Sequence, residues 1–150
     1  LQIKGPNVFK GYWEMPEKTK EDFSKDGFFN TGDKGLIDEG GYVSIIGRSK
    51  DMIISGGLNV YPKEIESLID KIEGVLESAV IGLSDEDLGE KVVAVIVSEE
   101  SKTLDKKKVI SEIKDQLAGF KVPKEVKFID QLPRNAMGKV QKNILRETFS

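Results

Sequence analysis

The sequence predicts a mixed α+β chain, in which a small β-rich N-terminal piece precedes a compact α/β domain. In residues 1–46, aromatic and β-branched runs alternate with glycine-rich turns, and no helical pattern is long enough to cover them. In residues 51–150, strand-like apolar runs alternate with amphipathic helical patterns. A composition of 38% hydrophobic residues is typical of a folded globular protein. The second piece should therefore fold alone, whereas the first should be the end of a sheet or β-barrel.

The N-terminal piece shows four local signals. Residues 8–13 (VFKGYW) are aromatic and predict a strand, and Pro16 begins a short helix that reaches Phe23. Residues 28–29 resume a strand, and the DEGG sequence at 38–41 predicts a hairpin turn between two apolar strands. Because these strands lack a covering helix, we expect exposed edges that self-association or a companion chain covers over residues 1–46.

The C-terminal piece begins with a second predicted hairpin, in which strands at 52–55 and 58–61 flank Gly56 and Gly57. Pro62 suits the first turn of a helix, whose apolar stripe ends before Gly74. The remaining predicted elements, in order, are strands at 75–81 and 92–97 separated by a polar loop at 84–89, a helix at 105–118, a strand at 126–129 and a helix at 142–149. The expected boundary between the two pieces lies at residues 47–50.

Two absences limit the chemistry. The chain has no cysteine and no histidine, which excludes a disulfide framework, a thiolate nucleophile, an imidazole base and the usual zinc site, so no metal site is predicted. The formal net charge of −3 favours neither a nucleic-acid partner nor a basic membrane surface. The longest strongly apolar run, residues 92–97, is far shorter than the roughly 18 residues of a membrane span. Without an initiator Met or a signal peptide, we interpret the chain as a piece of a longer, soluble, cytoplasmic protein.

Two short segments carry residues suited to nucleotide binding. Asp33 follows Thr31 and Gly32 in a turn-forming triplet, where a carboxylate can accept hydrogen bonds from ribose hydroxyls or simply form an Asx-turn. Arg48 lies in GRSKD at 47–51, and its planar guanidinium suits a phosphate. The SGG sequence at 55–57 allows a ligand to approach the backbone closely. The alternative is a polar linker followed by a tight hairpin.

A third segment, PRNAMGK at 133–139, contains a lysine on a glycine-containing loop. It is not a Walker phosphate-binding loop, because Pro133 replaces the required glycine and Val140 replaces the required Ser or Thr. Lys139 can still bring a point charge to a phosphate or carboxylate oxygen. The alternative is an ordinary exposed turn.

In this order and spacing, the segments resemble the C-terminal part of an acyl-CoA synthetase of the adenylate-forming (AMP-binding) superfamily. The resemblance covers essentially all 150 residues. The segments that carry it are 11–13 with 26–33, 47–51, 55–66 and 132–142. Within the superfamily, residues 15–19 and the last of these segments are most similar to malonyl-CoA synthetases.

The resemblance implies a two-step reaction. A carboxylate attacks the α-phosphate of ATP to give an acyl-adenylate and diphosphate, and the CoA thiol then displaces AMP. The implied cofactors are ATP, CoA and Mg²⁺, the metal being bound mainly by residues that precede this chain, and the substrate is a small carboxylic acid. Because the family's phosphate loop and acyl pocket also precede residue 1, this chain alone is predicted to be inactive.

The resemblance also implies a role for each candidate residue. Residues 1–46 would be the last strands of a large N-terminal domain, 47–50 a hinge, and 51–150 a mobile lid domain. The implied roles are ribose binding for Asp33, nucleotide contact for Arg48, the hinge pivot for Lys50, CoA binding for Ser55, Gly56 and Gly57, and catalysis of adenylation for Lys139, which is also a candidate for regulatory acetylation.

Alternatives remain open within this interpretation. The chain could be a non-catalytic lid fragment that binds CoA or a carrier protein, or part of a medium- or long-chain fatty acyl-CoA ligase. An acyl acceptor on a carrier protein in place of free CoA is a third alternative. Malonate rests on overall likeness, because no acyl-pocket residue lies in this chain.

Overall fold

The computed structural model describes residues 1–99 and 104–150. The chain divides into an N-terminal unit, Leu1–Lys50, and a C-terminal unit, Asp51–Ser150. Helices and strands occur in both units, which confirms the predicted mixed α+β fold class. Within the described residues, none of the helices has both the length and the apolar character needed to cross a membrane.

The N-terminal unit contains two small antiparallel sheets and one helix. Its elements are β1 (Gln2–Ile3), α1 (Pro16–Asp22), β2 (Phe29–Asn30), β3 (Asp33–Ile37) and β4 (Val43–Arg48). Strand β1 pairs with β2, and β3 pairs with β4 through the predicted turn at 38–41. None of the 50 residues is buried. The apolar side chains of the β3–β4 hairpin are 53–76% exposed at Leu36, Ile37, Tyr42, Val43 and Ile45.

The predicted strand at residues 8–13 is wrong, because this segment forms turns and irregular backbone. Its aromatic residues belong to a ring cluster instead. The ring of Phe9 lies 5.0–5.5 Å from those of Tyr12, Phe23 and Phe29, in edge-to-face arrangements. Such contacts require the chain to fold back on itself, so the ring cluster replaces the extended strand that aromatic content suggested.

The C-terminal unit begins with a 3₁₀ turn and contains one mixed sheet with three helices. Its elements are β5 (Ile53–Ser55), β6 (Leu58–Val60), α2 (Pro62–Ile69), β7 (Val75–Asp85), β8 (Gly89–Ser98), α3 (Lys106–Ile113), β9 (Glu125–Phe128) and α4 (Lys142–Phe149). The strand order is β6-β5-β8-β7, and β9 pairs with β8 in parallel. The polar loop predicted at 84–89 is shorter, because the antiparallel β7–β8 ladder includes Ser84 and Asp85.

Alternate residues of β8 enter two different apolar cores, as the two-residue period of a strand requires. The core that includes α2 and α3 contains Val92, Ala94 and Ile96. The core that includes Leu132 and Leu145 of α4 contains Val93, Val95 and Val97. The sheet is therefore covered by α2 and α3 on one face and by α4 on the other.

Helix α3 is shorter than the predicted span of 105–118. It begins after Asp105, whose carboxylate accepts a hydrogen bond from the N–H of Lys108 at 2.8 Å, and it continues after Ile113 only as a 3₁₀ turn. Leu117 has an extended backbone, yet it packs against the core of α2 and α3. The apolar residue that suggested a longer helix is thus packed against the core from an extended segment.

Candidate functional site

Asp33 and Arg48 contact each other across the β3–β4 hairpin. The two residues are register partners, and the Nε of Arg48 lies 3.2 Å from Oδ1 of Asp33. Arg48 also donates through Nη2 to the carbonyl oxygen of Thr31 at 2.8 Å. Gly32 has a φ of +75°, a left-handed conformation that glycine adopts without strain and that turns the chain into β3. The fold therefore brings together two residues that the sequence placed in separate segments.

The Asp33–Arg48 pair presents both signs of charge on a partly exposed surface. The Asp33 side chain is 26% exposed and that of Arg48 is 48% exposed. A carboxylate in this position can accept hydrogen bonds from vicinal hydroxyls, and a guanidinium can donate to phosphate oxygens. The pair suits a nucleotide, although its geometry alone also fits a structural ion pair.

Lys50 lies at the boundary between the two units, inside the 3₁₀ turn Ser49–Asp51. On one side, the N–H of Ser49 donates to the carbonyl oxygen of Gly32 at 2.8 Å. On the other side, the carboxylate of Asp51 lies 3.9 Å from the guanidinium of Arg146 on α4. Each neighbour of Lys50 is thus anchored within its own unit, whereas the Lys50 side chain is exposed.

The predicted hairpin at Gly56 and Gly57 is present between β5 and β6. Both glycines have positive φ, +57° and +77°, as a two-residue turn of the mirror-image type requires. The N–H of Gly56 donates to the carbonyl oxygen of Leu88 at 2.8 Å, and buried Ser55 pairs with Gly89. A Cβ built on Gly57 meets no atom within 4 Å, so the backbone at this turn is open to an approaching molecule.

Lys139 lies on a tight loop between β9 and α4. The side-chain oxygen of Asn135 accepts hydrogen bonds from the N–H groups of Met137 and Lys139, both at 3.0 Å. The N–H of Asn135 in turn donates to the carbonyl oxygen of Lys139 at 3.0 Å. Gly138 has a φ of +77° and closes the turn. Two hydrogen bonds to Asn135 therefore hold the backbone of Lys139, and a third holds the neighbouring Met137.

The Lys139 side chain is exposed. Within residues 1–99 and 104–150, no carboxylate forms an ion pair with its ammonium group. A cation that has no carboxylate partner among these residues, on a backbone that is internally bonded, can meet an anion without first breaking any of the described ion pairs. The arrangement suits stabilisation of a negatively charged group that arrives from outside the loop.

The candidate residues are distributed over both units of the chain. Asp33 and Arg48 belong to the N-terminal unit, whereas the 55–57 turn and Lys139 belong to different loops of the C-terminal unit. Among the described carboxylates, no group of three lies close enough together to coordinate a metal ion.

Sequence reasoning missed the residues that anchor the Lys139 loop. Asn135, Arg134 and Lys142 all fall inside the 132–142 segment, but their structural partners could not be assigned from it. The hydrogen-bonding side chain of Asn135, two residues before Met137, is a local signal that could have been used. The partners Glu77 and Glu66 are 57 and 76 residues distant in sequence and leave no such signal.

The chain matches a known family over half of its length. Residues 64–139 match the model of the AMP-binding enzyme C-terminal domain. The chain is 47% identical over 147 residues to the indoleacetate–CoA ligase of Aromatoleum aromaticum, covering 98% of this chain and 29% of the relative. It is also 47% identical over 148 residues to the long-chain-fatty-acid–CoA ligase FadD13 of Mycobacterium tuberculosis, covering 99% and 29%.

A solved structure gives the same result. ATP-bound MatB from Rhodopseudomonas palustris superposes with a TM-score of 0.90 at 62% identity, covering 99% of this chain and 29% of that protein. The chain spans less than a third of the length of the curated relatives that it matches. The sequence resemblance to the C-terminal part of acyl-CoA synthetases is confirmed. The chain belongs to the AMP-binding enzyme C-terminal domain family.

Proposed function

We propose that this chain is the C-terminal portion of an ATP-dependent acyl-CoA ligase, which joins a carboxylic acid to CoA through an acyl-adenylate. The observation that carries the proposal is the exposed ammonium of Lys139, which no described carboxylate neutralises. It lies at the end of the segment that matches the AMP-binding family, and the curated relatives named above are CoA ligases. The complete protein would use ATP, Mg²⁺ and CoA in the cytoplasm.

In the adenylation step, the carboxylate of the substrate attacks the α-phosphate and diphosphate leaves. Negative charge shifts among the phosphate oxygens, and a preorganised cation lowers the barrier most when it lies where that charge develops. Lys139 is the proposed catalytic residue. Asp33 is proposed to accept hydrogen bonds from the ribose hydroxyls, and Arg48 to contact the same nucleotide. Mg²⁺, held by residues outside this chain, would screen the phosphate charges.

In the thioester step, the CoA thiol attacks the acyl carbon and AMP leaves. The open backbone at Gly56 and Gly57 is proposed to line the passage for the pantetheine arm of CoA, and Ser55, whose side chain is buried, is proposed to support this turn from β5. Rotation of residues 51–150 about Lys50 would exchange Lys139 for the 55–57 turn at the reacting atoms. The anchoring of Ser49 and Asp51 within separate units supports a pivot at the residue between them.

Malonate is the proposed acid. The 62% identity to MatB, a malonyl-CoA synthetase, is higher than the 47% identity to the indoleacetate and long-chain fatty acid ligases. The similarity of residues 15–19 and 132–142 to malonyl-CoA synthetases points the same way. The second candidate is a medium- or long-chain fatty acyl-CoA ligase, which the identity to FadD13 favours.

The first test measures the two half-reactions separately in the full-length protein that contains this chain. Lys139→Ala should lower the rate of acyl-adenylate formation by about 10²–10³-fold, because one preorganised donor is lost. It should leave the conversion of synthetic acyl-adenylate and CoA to acyl-CoA near the wild-type rate. Lys114→Ala, which removes another exposed lysine from the turn after α3, is the matched control and should change neither rate. Equal loss in both half-reactions would contradict the role of Lys139.

The second test changes the thioester step. Lys50→Pro, which fixes a backbone dihedral at the pivot, should retain adenylation and abolish thioester formation. Gly57→Ala and Gly57→Asn should both slow thioester formation, because each adds a side chain to the proposed passage. Asparagine tolerates positive φ better than alanine, so it separates obstruction of the passage from backbone strain. If Gly57→Asn is fully active and Gly57→Ala is not, the defect is backbone strain and the turn does not bind CoA.

The third test identifies the acid by ATP–diphosphate exchange with malonate, longer dicarboxylates and fatty acids. Exchange with malonate supports the proposal, and exchange only with fatty acids replaces malonate by the second candidate. A protein that binds CoA but exchanges with no acid would be a non-catalytic lid.

A further inference from the structure

The loop that carries Lys139 is anchored at both of its ends, at its start to strand β7 and at its end to helix α2. At its start, Arg134 donates through Nη1 to the carbonyl oxygen of Gly138 at 2.7 Å, and its Nη2 pairs with the carboxylate of Glu77 on β7. At its end, the ammonium of Lys142 lies 2.6 Å from Oε1 of Glu66.

The anchor at Lys142 is buried. The side chains of Lys142 and Glu66 are 15% and 10% exposed, and Oε1 of Glu66 also accepts the N–H of Val80 on β7 at 2.9 Å. Removing one partner from a buried ion pair leaves an uncompensated charge and strongly destabilises a fold. This anchor is therefore needed for the fold, and its loss would not report on the loop alone.

The anchor at Arg134 is different, because it is half exposed and contacts the Lys139 loop directly. Its side chain is 40% exposed and that of Glu77 is 29% exposed, so the ion pair contributes little to stability. The guanidinium nevertheless links the start of the loop to two other groups. One is the carboxylate of Glu77 on β7, and the other is the carbonyl of Gly138, in the peptide group that immediately precedes Lys139. Only a planar group with several donors can make both contacts at once.

We propose that Arg134, oriented by Glu77, is a positioning residue for the adenylation step, acting through Lys139. The inference rests on the proposed function, in which the Lys139 ammonium is the catalytic group. A lysine side chain is long and flexible, so the place of its ammonium depends on how firmly its backbone is fixed. Asn135 fixes the turn internally, whereas Arg134 fixes the turn relative to the sheet.

The physical consequence concerns the transition state more than substrate binding. Arg134 already contacts two protein groups, the Gly138 carbonyl and the Glu77 carboxylate, and it is not assigned a contact with substrate. An interaction that matters only when charge develops appears in kcat, with KM unchanged. A small misplacement of a catalytic group lowers the rate by up to about 10²-fold.

The test uses Arg134→Met in the full-length protein, with both half-reactions measured. We expect kcat for acyl-adenylate formation to fall by up to about 10²-fold, with KM for ATP and for the acid unchanged and with thioester formation from synthetic acyl-adenylate retained. Glu77→Gln, which keeps an acceptor but removes its charge, should give a smaller loss of the same kind. Lys121→Met is the matched control, because it breaks the partly exposed ion pair between Lys121 and Glu64. These two residues are also 57 positions apart in the sequence.

A double variant decides whether Arg134 acts through Lys139. Adding Arg134→Met to Lys139→Ala should cause no further loss of adenylation, because the group that Arg134 positions is already absent. Multiplied losses would mean that Arg134 acts on substrate directly, and the proposal would be wrong. Wild-type adenylation in Arg134→Met, or a loss that Lys121→Met reproduces, would also overturn it. If Lys139→Ala itself leaves adenylation intact, the proposed function fails first, and the two failures are distinguished.

Discussion

The two units differ most in where their apolar side chains lie. In the C-terminal unit, two clusters of buried residues occupy opposite faces of one sheet, and residues such as Val93 and Ile96 have no exposed surface. In the N-terminal unit no residue is buried, and Ile37 and Ile45 of the β3–β4 hairpin are 71% and 63% exposed. One unit has a core of its own, whereas the other presents the strand faces from which a core could be made.

This difference affects the two halves of the candidate site unequally. Lys139 lies on a loop that is bonded to a sheet with a core on each face. Asp33 and Arg48 lie on a two-stranded ribbon, a structure that is only marginally stable by itself in water. The geometry of Lys139 should therefore persist in isolation, whereas the Asp33–Arg48 pair should depend on further packing of the hairpin.

Separating the units should give the largest effect. A fragment of residues 51–150 should fold cooperatively, because both apolar cores lie within it. A fragment of residues 1–50 should lack a cooperative transition, because it buries no side chain. Amide NMR dispersion and urea unfolding measure both expectations. A dispersed spectrum and a sharp transition for residues 1–50 would contradict the comparison.

A pair of matched isoleucine substitutions tests the same difference inside the intact chain. Ile96→Ala should lower the free energy of unfolding by about 2–5 kcal/mol, since Ile96 is fully buried in β8. Ile37→Ala should change it by less than about 0.5 kcal/mol, since that side chain is 71% exposed. Urea unfolding followed by circular dichroism gives both values. Similar values for the two variants would show that the N-terminal hairpin packs in solution.

The smallest effect should appear in the pH dependence of stability. Hydrogen bonds from the ammonium groups of Lys91 and then Lys127 lower the pKa of Glu125 from 4.5 to about 2. Because the folded pKa is lowered, the stabilisation is present above pH 4.5 and is lost as the pH falls from 4.5 towards 2. The Glu125 side chain is 33% exposed, so solvent screening limits the effect to about 1 kcal/mol or less.

The matched variants are Glu125→Gln and Asp22→Asn. Glu125→Gln should flatten the stability profile between pH 4.5 and about 2. In the N-terminal unit, the hydrogen bond from Lys18 also lowers the pKa of Asp22. Because that unit has no core whose unfolding the titration could affect, Asp22→Asn should leave the profile of the whole chain unchanged. Unfolding free energies measured across this pH range check both, and an equal effect of the two variants would contradict the comparison.

The spacing of apolar residues and the positions of turn-forming residues predicted much of the fold. The closing helix was predicted at 142–149 and is found at Lys142–Phe149. The turn at Gly56 and Gly57 was predicted from two adjacent glycines, and both have the positive φ that such a turn needs. The strand predicted at 8–13 failed because aromatic side chains favour both strands and ring clusters, and local sequence does not distinguish them.

The candidate site was predictable only as a set of residues. The resemblance selected Asp33, Arg48 and Lys139, whose roles stay predictions. Their surroundings depend on strand register and on contacts between distant segments, such as Arg134 with Glu77. Register follows from the whole hairpin rather than from either residue, so no motif could show that Asp33 and Arg48 are paired.

The contact between Glu66 and Val80 has a consequence for solubility. Strand β7 stands at the end of the sheet order, and among the described strands it pairs only with β8. A free strand edge invites addition of a strand from another molecule, and proteins avoid this by placing charge on the edge or covering it. The carboxylate of Glu66 accepts a hydrogen bond from the N–H of Val80, so this backbone donor of β7 already has a partner. The ion pair of Glu77 with Arg134 places charged groups on the same strand. The contacts that anchor the Lys139 loop thus also place charge on this edge strand, and we expect a substitution that loosens the loop to favour intermolecular pairing of the strand.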